Sequence, residues 1–183
     1  TAAIYALSIF AANTYSGSTT LKSGYLILSN SNAIQNSTLI MSGGTLQLSS
    51  SVTGNAFNFG GLSASTAGTG YDIALQNNAL TPAAIALSVG SNNADTTYAG
   101  VLSDGGSLTK IGAGTLTLSG ANSYSGATNV NEGKLLVNGN QSLATGAVTV
   151  ASGATLGGTG TIGGAVTVNS GGTLMPGTAA SIG

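Results

Sequence analysis

The feature that most restricts the fold of this chain is a long internal register. ANTYSGSTTLKSGYLIL, beginning at Ala12, lines up with ANSYSGATNVNEGKLLV, beginning at Ala121, at a constant offset of 109 in the numbering. Ala12, Asn13, Tyr15, Ser16, Gly17, Thr19, Gly24 and Leu26 fall on Ala121, Asn122, Tyr124, Ser125, Gly126, Thr128, Gly133 and Leu135. After one inserted residue the match resumes at an offset of 110, where SGGTL (42–46) meets SGATL (152–156). A shorter period lies inside the long one, because VTVASGATL (148–156) recurs as VTVNSGGTL (166–174) at an offset of 18. Gly133, Gly153 and Gly171 mark corresponding turns at similar intervals.

Between these turns the residues alternate. Leu116 and Leu118 flank Thr117, Val148 and Val150 flank Thr149, and Val166 and Val168 flank Thr167. A period of two is the signature of a strand with one face buried. No stretch has the spacing of an amphipathic helix bounded by caps. A repeat of about 20 residues with two or three short strands cannot bury its apolar side alone, but stacked copies can. The sequence therefore predicts an all-β fold, a right-handed parallel β-helix (β-solenoid) of about 18–21 residues per coil. Leu116, Leu118, Val130, Leu135, Val137, Val148, Val150, Leu156, Val166, Val168 and Leu174 are expected to point inward. The 183 residues make about nine coils, a rod on the order of 40 Å at the strand spacing of a sheet. An antiparallel sandwich would also show short alternating strands, but has no reason to repeat its sequence at one coil.

One unit, 1–183, is expected: repeat copies at about 4–50 and 108–160, divergent coils at 51–107 and a further coil at 161–183. Residues 51–107 fit the short period less well. They contain strand-like pieces at 72–75 and 84–89 and a turn at Asp104, Gly105 and Gly106, and are where a lateral insertion is expected.

The run LTKIGAGTLTLSGANSYSGATNVNEGKLLVNG (108–139) closely resembles the autotransporter-associated β-strand repeat, also called the passenger-associated transport repeat. NFGGL (58–62), SNNADTTYAGVLSDGGSL (91–108) and GAVTVASGATLGGTGTIGGAVTVNSGGTLMPG (146–177) are similar to the surroundings of such repeats. The resemblance implies a right-handed β-helix exported by Gram-negative bacteria through the type V pathway, in which such repeats help the passenger cross the outer membrane and fold. It implies an extracellular, outer-membrane-surface location. It transfers no specific activity, since passengers of very different function share such stalks.

Composition bounds the chemistry. There are three Lys, four acids, no Arg, no His and no Cys, with a net charge of −1. That offers no electrostatic footprint for nucleic acid, and no apolar run reaches the roughly 20 residues of a membrane-spanning helix. The residues of a thiolate site or a serine–histidine triad are missing, and no metal or organic cofactor is expected.

Polysaccharide-active β-helix enzymes need clustered acids. Asp95 and Asp104 are about half a coil apart, and Asp72 and Glu132 lie elsewhere. Glu132 sits beside the turn Gly133 with Lys134, has Ser23 as its first-repeat counterpart, and reads as a solvated turn charge. Lys22, Lys110 and Lys134 lie next to turns and read as solubilising surface charge rather than as partners in a Ser–Lys dyad. Gly158, Gly160 and Gly163 spell G-x-G-x-x-G with no helix start after them, and Thr161 stands where a calcium-binding β-roll needs Asp. Tyr15 and Tyr124, at the same repeat position, read as aromatics over the edge of the core rather than as a glycan platform. The Thr149 and Thr167 ladder meets Asn129, which interrupts the regular hydroxyl face an ice-binding surface needs.

The expected function is a non-catalytic structural stalk supporting export, display or fibre-like assembly. The alternatives are an adhesin or glycan-binding module and, more remotely, a polysaccharide-active enzyme. Ala6–Ile9 correspond to Thr115–Leu118, so the first strand lies inside a repeat. The partners expected are flanking passenger coils or identical copies stacked end to end, together with host or surface glycans.

Overall fold

The computed structural model describes residues 5–177. They form a parallel β-solenoid of about nine turns with three faces. The expected strands are present: Thr115–Leu118, Val148–Val150 and Val166–Val168 all pair in parallel with the next coil. The one helical element among the described residues is a single 3-10 turn at Thr53–Asn55.

Face I stacks 56–59, Ala86–Val89, Ser107–Lys110, Thr128–Val130, Val148–Val150 and Val166–Val168. Face II is the longest ladder. It runs through eight strands: Thr19–Leu21, 39–41, 61–64, Thr96–Tyr98, Thr115–Leu118, Lys134–Val137, Thr155–Gly158 and Thr173–Pro176. Eight strands span ~34 Å at the spacing of a sheet. Face III begins with Ala6–Ile9, Tyr25–Leu28 and Thr45–Leu48. It continues in shorter pieces, with Ile73–Ala74 against Leu102–Ser103 and Asn140–Gln141 against Thr161–Ile162.

Alternate side chains point into the space between the faces. Leu116, Leu118, Val130, Leu135, Val137, Val148, Val150 and Leu156 are buried there, as their period-two pattern requires. Val166, Val168 and Leu174 differ from expectation. They stand in register on Val148, Val150 and Leu156, but are 39%, 39% and 52% exposed. Their rows are interior rows; they lie in the last described turn, so a neighbour stands on one side of each.

Coil length is regular except in the middle. On face II, Leu21 pairs with Met41, Tyr98 with Leu118, Leu118 with Val137 and Gly158 with Pro176, partners 20, 20, 19 and 18 apart in the numbering. Ala64 pairs with Tyr98, a separation of 34. The surplus lies in 65–85, which leave the regular path on either side of the face III strand Ile73–Ala74. Gly43 donates its N–H to the Gly70 carbonyl, and Gln76 and Ala84 form an antiparallel bridge. Buried Asn77 holds the base of this excursion: its Oδ1 accepts from the N–H groups of Ala79 (3.3 Å) and Ala83 (3.0 Å), and its Nδ2 donates to Asn55 Oδ1 (2.9 Å).

The excursion changes how the repeats are used. In the first repeat Thr19–Leu21 lies on face II and Tyr25–Leu28 on face III. Their counterparts in the second copy, Thr128–Val130 and Lys134–Val137, lie on faces I and II. The offset equals four whole turns plus two faces, so the second copy sits one face short of the first. Nothing in the motif resists this, since each strand needs only an apolar interior and a neighbour on either side.

Candidate functional site

Three of the seven charged residues meet at the corner between faces I and II. Lys110 follows Leu108 at the second inward position of its strand, in the row of Phe59, Val89, Val130 and Val150. It is 1% exposed. Its Nζ donates to the carbonyls of Ile111 and Gly112, both at 2.7 Å, and of Glu132 at 3.3 Å, so the ammonium ties one coil to the next. The expectation that Lys110 is a solubilising surface charge is therefore corrected. Its closeness to a turn suggested exposure, but strand alternation turns position 110 inward, and the bent corner supplies carbonyls that an aliphatic side chain could not satisfy. Burial pushes its pKa below the usual 10.5, and the charges of Glu132 and Asp95 partly oppose that.

The acids act mainly on backbone. Asp95 Oδ1 accepts from Thr115 N (2.7 Å) and Glu132 Oε2 from Gly112 N (3.1 Å), each bridging to a neighbouring coil. Asp72 Oδ1 accepts from Gly68 N (3.1 Å) and Val101 N (2.7 Å). Asp104 has φ +72° at its turn and accepts from Ser103 Oγ (2.8 Å). Among the described residues there is no group of three or more His, Cys, Asp or Glu placed to hold a metal ion. No described helix is long and apolar enough to cross a membrane.

The ammonium of Lys110 is held as a donor, which is a poor arrangement for a general base. Lys22 and Lys134 are exposed, in keeping with the surface reading. Gly160 N donates to Val137 O (2.8 Å) and Gly163 N to Gln141 O (3.0 Å), so these amides serve the ladder and are not free to cradle a phosphate.

The two tyrosines of the repeat part company. Tyr124 is 1% exposed and shares a 2.7 Å hydrogen bond with Thr128 Oγ1, while Tyr15 is 42% exposed and keeps the equivalent bond to Thr19 Oγ1 at 3.0 Å. Tyr124 is thus a core residue rather than a cover over the core's edge. Asn122, two positions earlier and also 1% exposed, accepts from Leu102 N at 2.7 Å. The sequence reading passed over Asn122 and Tyr98. Tyr98 is fully buried and donates its hydroxyl proton to Tyr71 O at 2.7 Å. Alternation marks 98 as inward, but nothing local announces the carbonyl that receives the proton. Along the outward row of face I, Asn58, Ser88, Thr109, Asn129, Thr149 and Thr167 follow one another, so amides break the hydroxyl ladder.

The outer surface of face II carries a lateral notch of about 250 Å³ lined by Thr115, Lys134, Leu136, Asn138, Gly158, Met175 and Gly177. Leu136, Gly157 and Met175 are successive neighbours across the strands, and Gly157 is covered by the other two: a Cβ there would lie 2.7 Å from Met175 O and 3.2 Å from Leu136 Cδ2.

The repeats seen in the sequence are matched in known proteins. The Passenger-associated-transport-repeat family matches residues 7–27, 23–48 and 108–137, within the two copies related by the long register. The adhesin BmaC autotransporter of Brucella suis biovar 1 (strain 1330) is 49% identical over 100 residues, which is 51% of this chain and 3% of the length of that protein. No solved structure matches the chain. The chain is thus a parallel β-solenoid that carries passenger-associated transport repeats and, over about half of its length, is similar to an autotransporter adhesin.

Proposed function

We propose that this chain is a non-catalytic stalk segment of a passenger displayed outside the outer membrane, where its stacked coils hold neighbouring parts of the protein away from the cell. The observation that carries this reading is the face II ladder, eight parallel strands deep, with acids bonded to the backbone that stabilises it. Large apolar side chains are exposed in the first and last described turns, Leu7 at 63%, Phe10 at 74% and Leu174 at 52%. They support packing of further β-coils there, from flanking chain or a second copy. Light scattering during size-exclusion chromatography tests this part: a 17.5 kDa monomer stable at high concentration is the refuting result.

Display is tested by placing the chain between a signal peptide and an outer-membrane β-barrel in a secretion host. Deleting 119–137 joins Leu118 to Asn138 and removes one whole turn, because Leu118 pairs with Val137. Deleting 119–130 leaves the following strands on the wrong face. The whole-turn deletion is expected to keep surface exposure, read by protease shaving, and the partial one to lose it. Equal exposure of both refutes the coil-stacking role. Depolymerisation of a polysaccharide by the purified chain refutes the non-catalytic reading.

A second reading, an adhesive surface, is favoured by one observation: the relative that is 49% identical over 100 residues is named an adhesin. Binding of the purified chain to host cells or to a glycan array tests it.

A further inference from the structure

Away from the first and last described turns, two large apolar side chains are strongly exposed among the described residues, Leu80 at 107% and Leu143 at 72%. Both stand on one corner of the rod. Leu80 lies between the face III strand Ile73–Ala74 and the face I strand Ala86–Val89, and Leu143 between Asn140–Gln141 on face III and Val148–Val150 on face I. The tip that carries Leu80 is held by buried Asn77, whose Oδ1 accepts from Ala79 N and Ala83 N on either side of it. A leucine presented on a locked tip marks a contact surface.

Face I, which this corner borders, turns no charge outward on any of its six strands. Beside the amide and hydroxyl row described above, its second outward row is Ala56, Ala86, Ser107, Ala127, Ala147 and Ala165, neighbours from coil to coil. The alanines are exposed and Ser107 half-buried. No outward side chain on the face is larger than asparagine, so a second surface can approach it closely along its whole length.

The placement of the two leucines is symmetric about the middle of this face. Leu80 adjoins the second of the six strands and Leu143 the fifth, so reversing the order of the strands exchanges them. The same reversal sets third against fourth, where Thr109 meets Asn129, a hydroxyl against an amide that can both donate and accept. It keeps the acids apart. Asp95 and Glu132, on the corner with face II, come opposite Ser152 and Gly112, and Asp104, on the corner with face III, opposite Ser125.

We propose that face I docks a second copy of this chain, the two rods side by side and pointing in opposite directions about a two-fold axis between Ser107–Lys110 and Thr128–Val130. Each surface then meets itself, as a closed pair requires, with Leu80 of either copy beside Leu143 of the other. Six strands of three to four residues make a face of ~29 by ~12 Å. With the leucines, at on the order of 100 Å² each, about 500 Å² is covered on each copy and about 1,000 Å² in all, the lower limit of a specific interface. The pair is therefore a weak one that forms at high local concentration, as on a crowded surface. This contact is lateral and does not depend on what stands at the two ends of the rod.

Sedimentation equilibrium of the full 183-residue chain over a wide concentration range is expected to show a reversible step from 17.5 kDa to twice that mass. Ala127→Arg, in the middle of the face, is expected to abolish the step, and Leu80→Ser to weaken it at least fivefold, with melting curves showing both variants folded. Thr97→Arg, exposed on face II, is expected to leave it unchanged. The chain has no cysteine, so the register can be read directly. Under mild oxidation an equimolar mixture of Leu80→Cys and Leu143→Cys chains is expected to give at least fivefold more disulfide-linked dimer than either chain alone. Absence of a dimer at high concentration overturns the proposal. So does an Ala127→Arg variant that associates like the parent, which points to stacking at the ends, or cross-linking of either cysteine variant alone as fully as the mixture.

Discussion

Replacing Lys110 separates a cation that holds a corner together from one that merely sits on it. Two changes divide its contribution. Lys110→Met keeps an unbranched side chain but removes the donor, leaving the carbonyls of Ile111, Gly112 and Glu132 without the ammonium. Three buried acceptors at about 1–3 kcal/mol each would exceed the whole effect of most substitutions. Here Ile111 and Gly112 are half-buried and Glu132 is exposed, so water can replace part of the loss. Removing a charge that is costly to bury offsets more of it. A net destabilisation of about 2 kcal/mol is expected. Lys110→Ala also deletes three buried methylenes, which at about 0.8 kcal/mol each adds roughly 2 kcal/mol. Equilibrium urea unfolding followed by circular dichroism measures both, with the order parent, Met, Ala. pH gives an independent readout. The folded pKa of Lys110 lies below 10.5, so between the folded value and 10.5 the unfolded chain binds more protons. The group's contribution to stability therefore rises with pH across that window. The Met variant lacks this rise. A Lys110→Ala variant within about 0.5 kcal/mol of the parent, the range of a surface change, refutes the reasoning.

Three further outcomes follow from other buried groups. Burial raises the hydroxyl pKa of Tyr98, with Asp72 adding to the effect, and raises that of Tyr124, opposed by its bond to Thr128. For a phenol the raised folded pKa means that the unfolded chain loses its proton first, so stability is fully present below pH 10.0 and falls as pH rises from there toward the folded values. Tyr98→Phe/Tyr124→Phe should flatten the alkaline loss seen by urea titration above that pH. Asn122→Ala, which strands the Leu102 N–H in the interior, should cost about 2 kcal/mol in the same assay, more than Asn13→Ala at the less buried first-repeat position. Gly133 and Gly153 both have positive φ, but a Cβ at 133 would lie 2.5 Å from the carbonyl oxygens of Gly112 and Gly114, whereas at 153 nothing lies within 4 Å. Gly153→Ala should thus cost about 1 kcal/mol for backbone strain alone, and Gly133→Ala clearly more, read as the difference between their melting temperatures.

Much of this molecule was legible in one dimension, because the rules that shape a coil are local. Alternation of period two identified Leu116, Leu118, Val148 and Val150 as interior; the same rule turns Lys110 inward, but nearness to a turn led to the opposite reading of that residue. The glycine turns at 133, 153 and 171 set the coil length, and the long register between the two copies revealed that coils stack. The family match rests on these same local patterns. The partners of Lys110 and of Tyr98 were not legible, since the carbonyls they bind come from bends whose direction depends on the coils beside them. Nor was the face that each repeat occupies. Faces I, II and III accept the same alternating strand, so the motif carries no mark of its face. The phase is set by how many residues the chain spends between the copies, and 65–85 spend most of theirs outside the regular path, on either side of Ile73–Ala74. Tertiary structure alone decides that Leu136 and its first-repeat counterpart Ile27 look out from different sides of the rod, because phase accumulates along the whole solenoid while sequence patterns act one coil at a time.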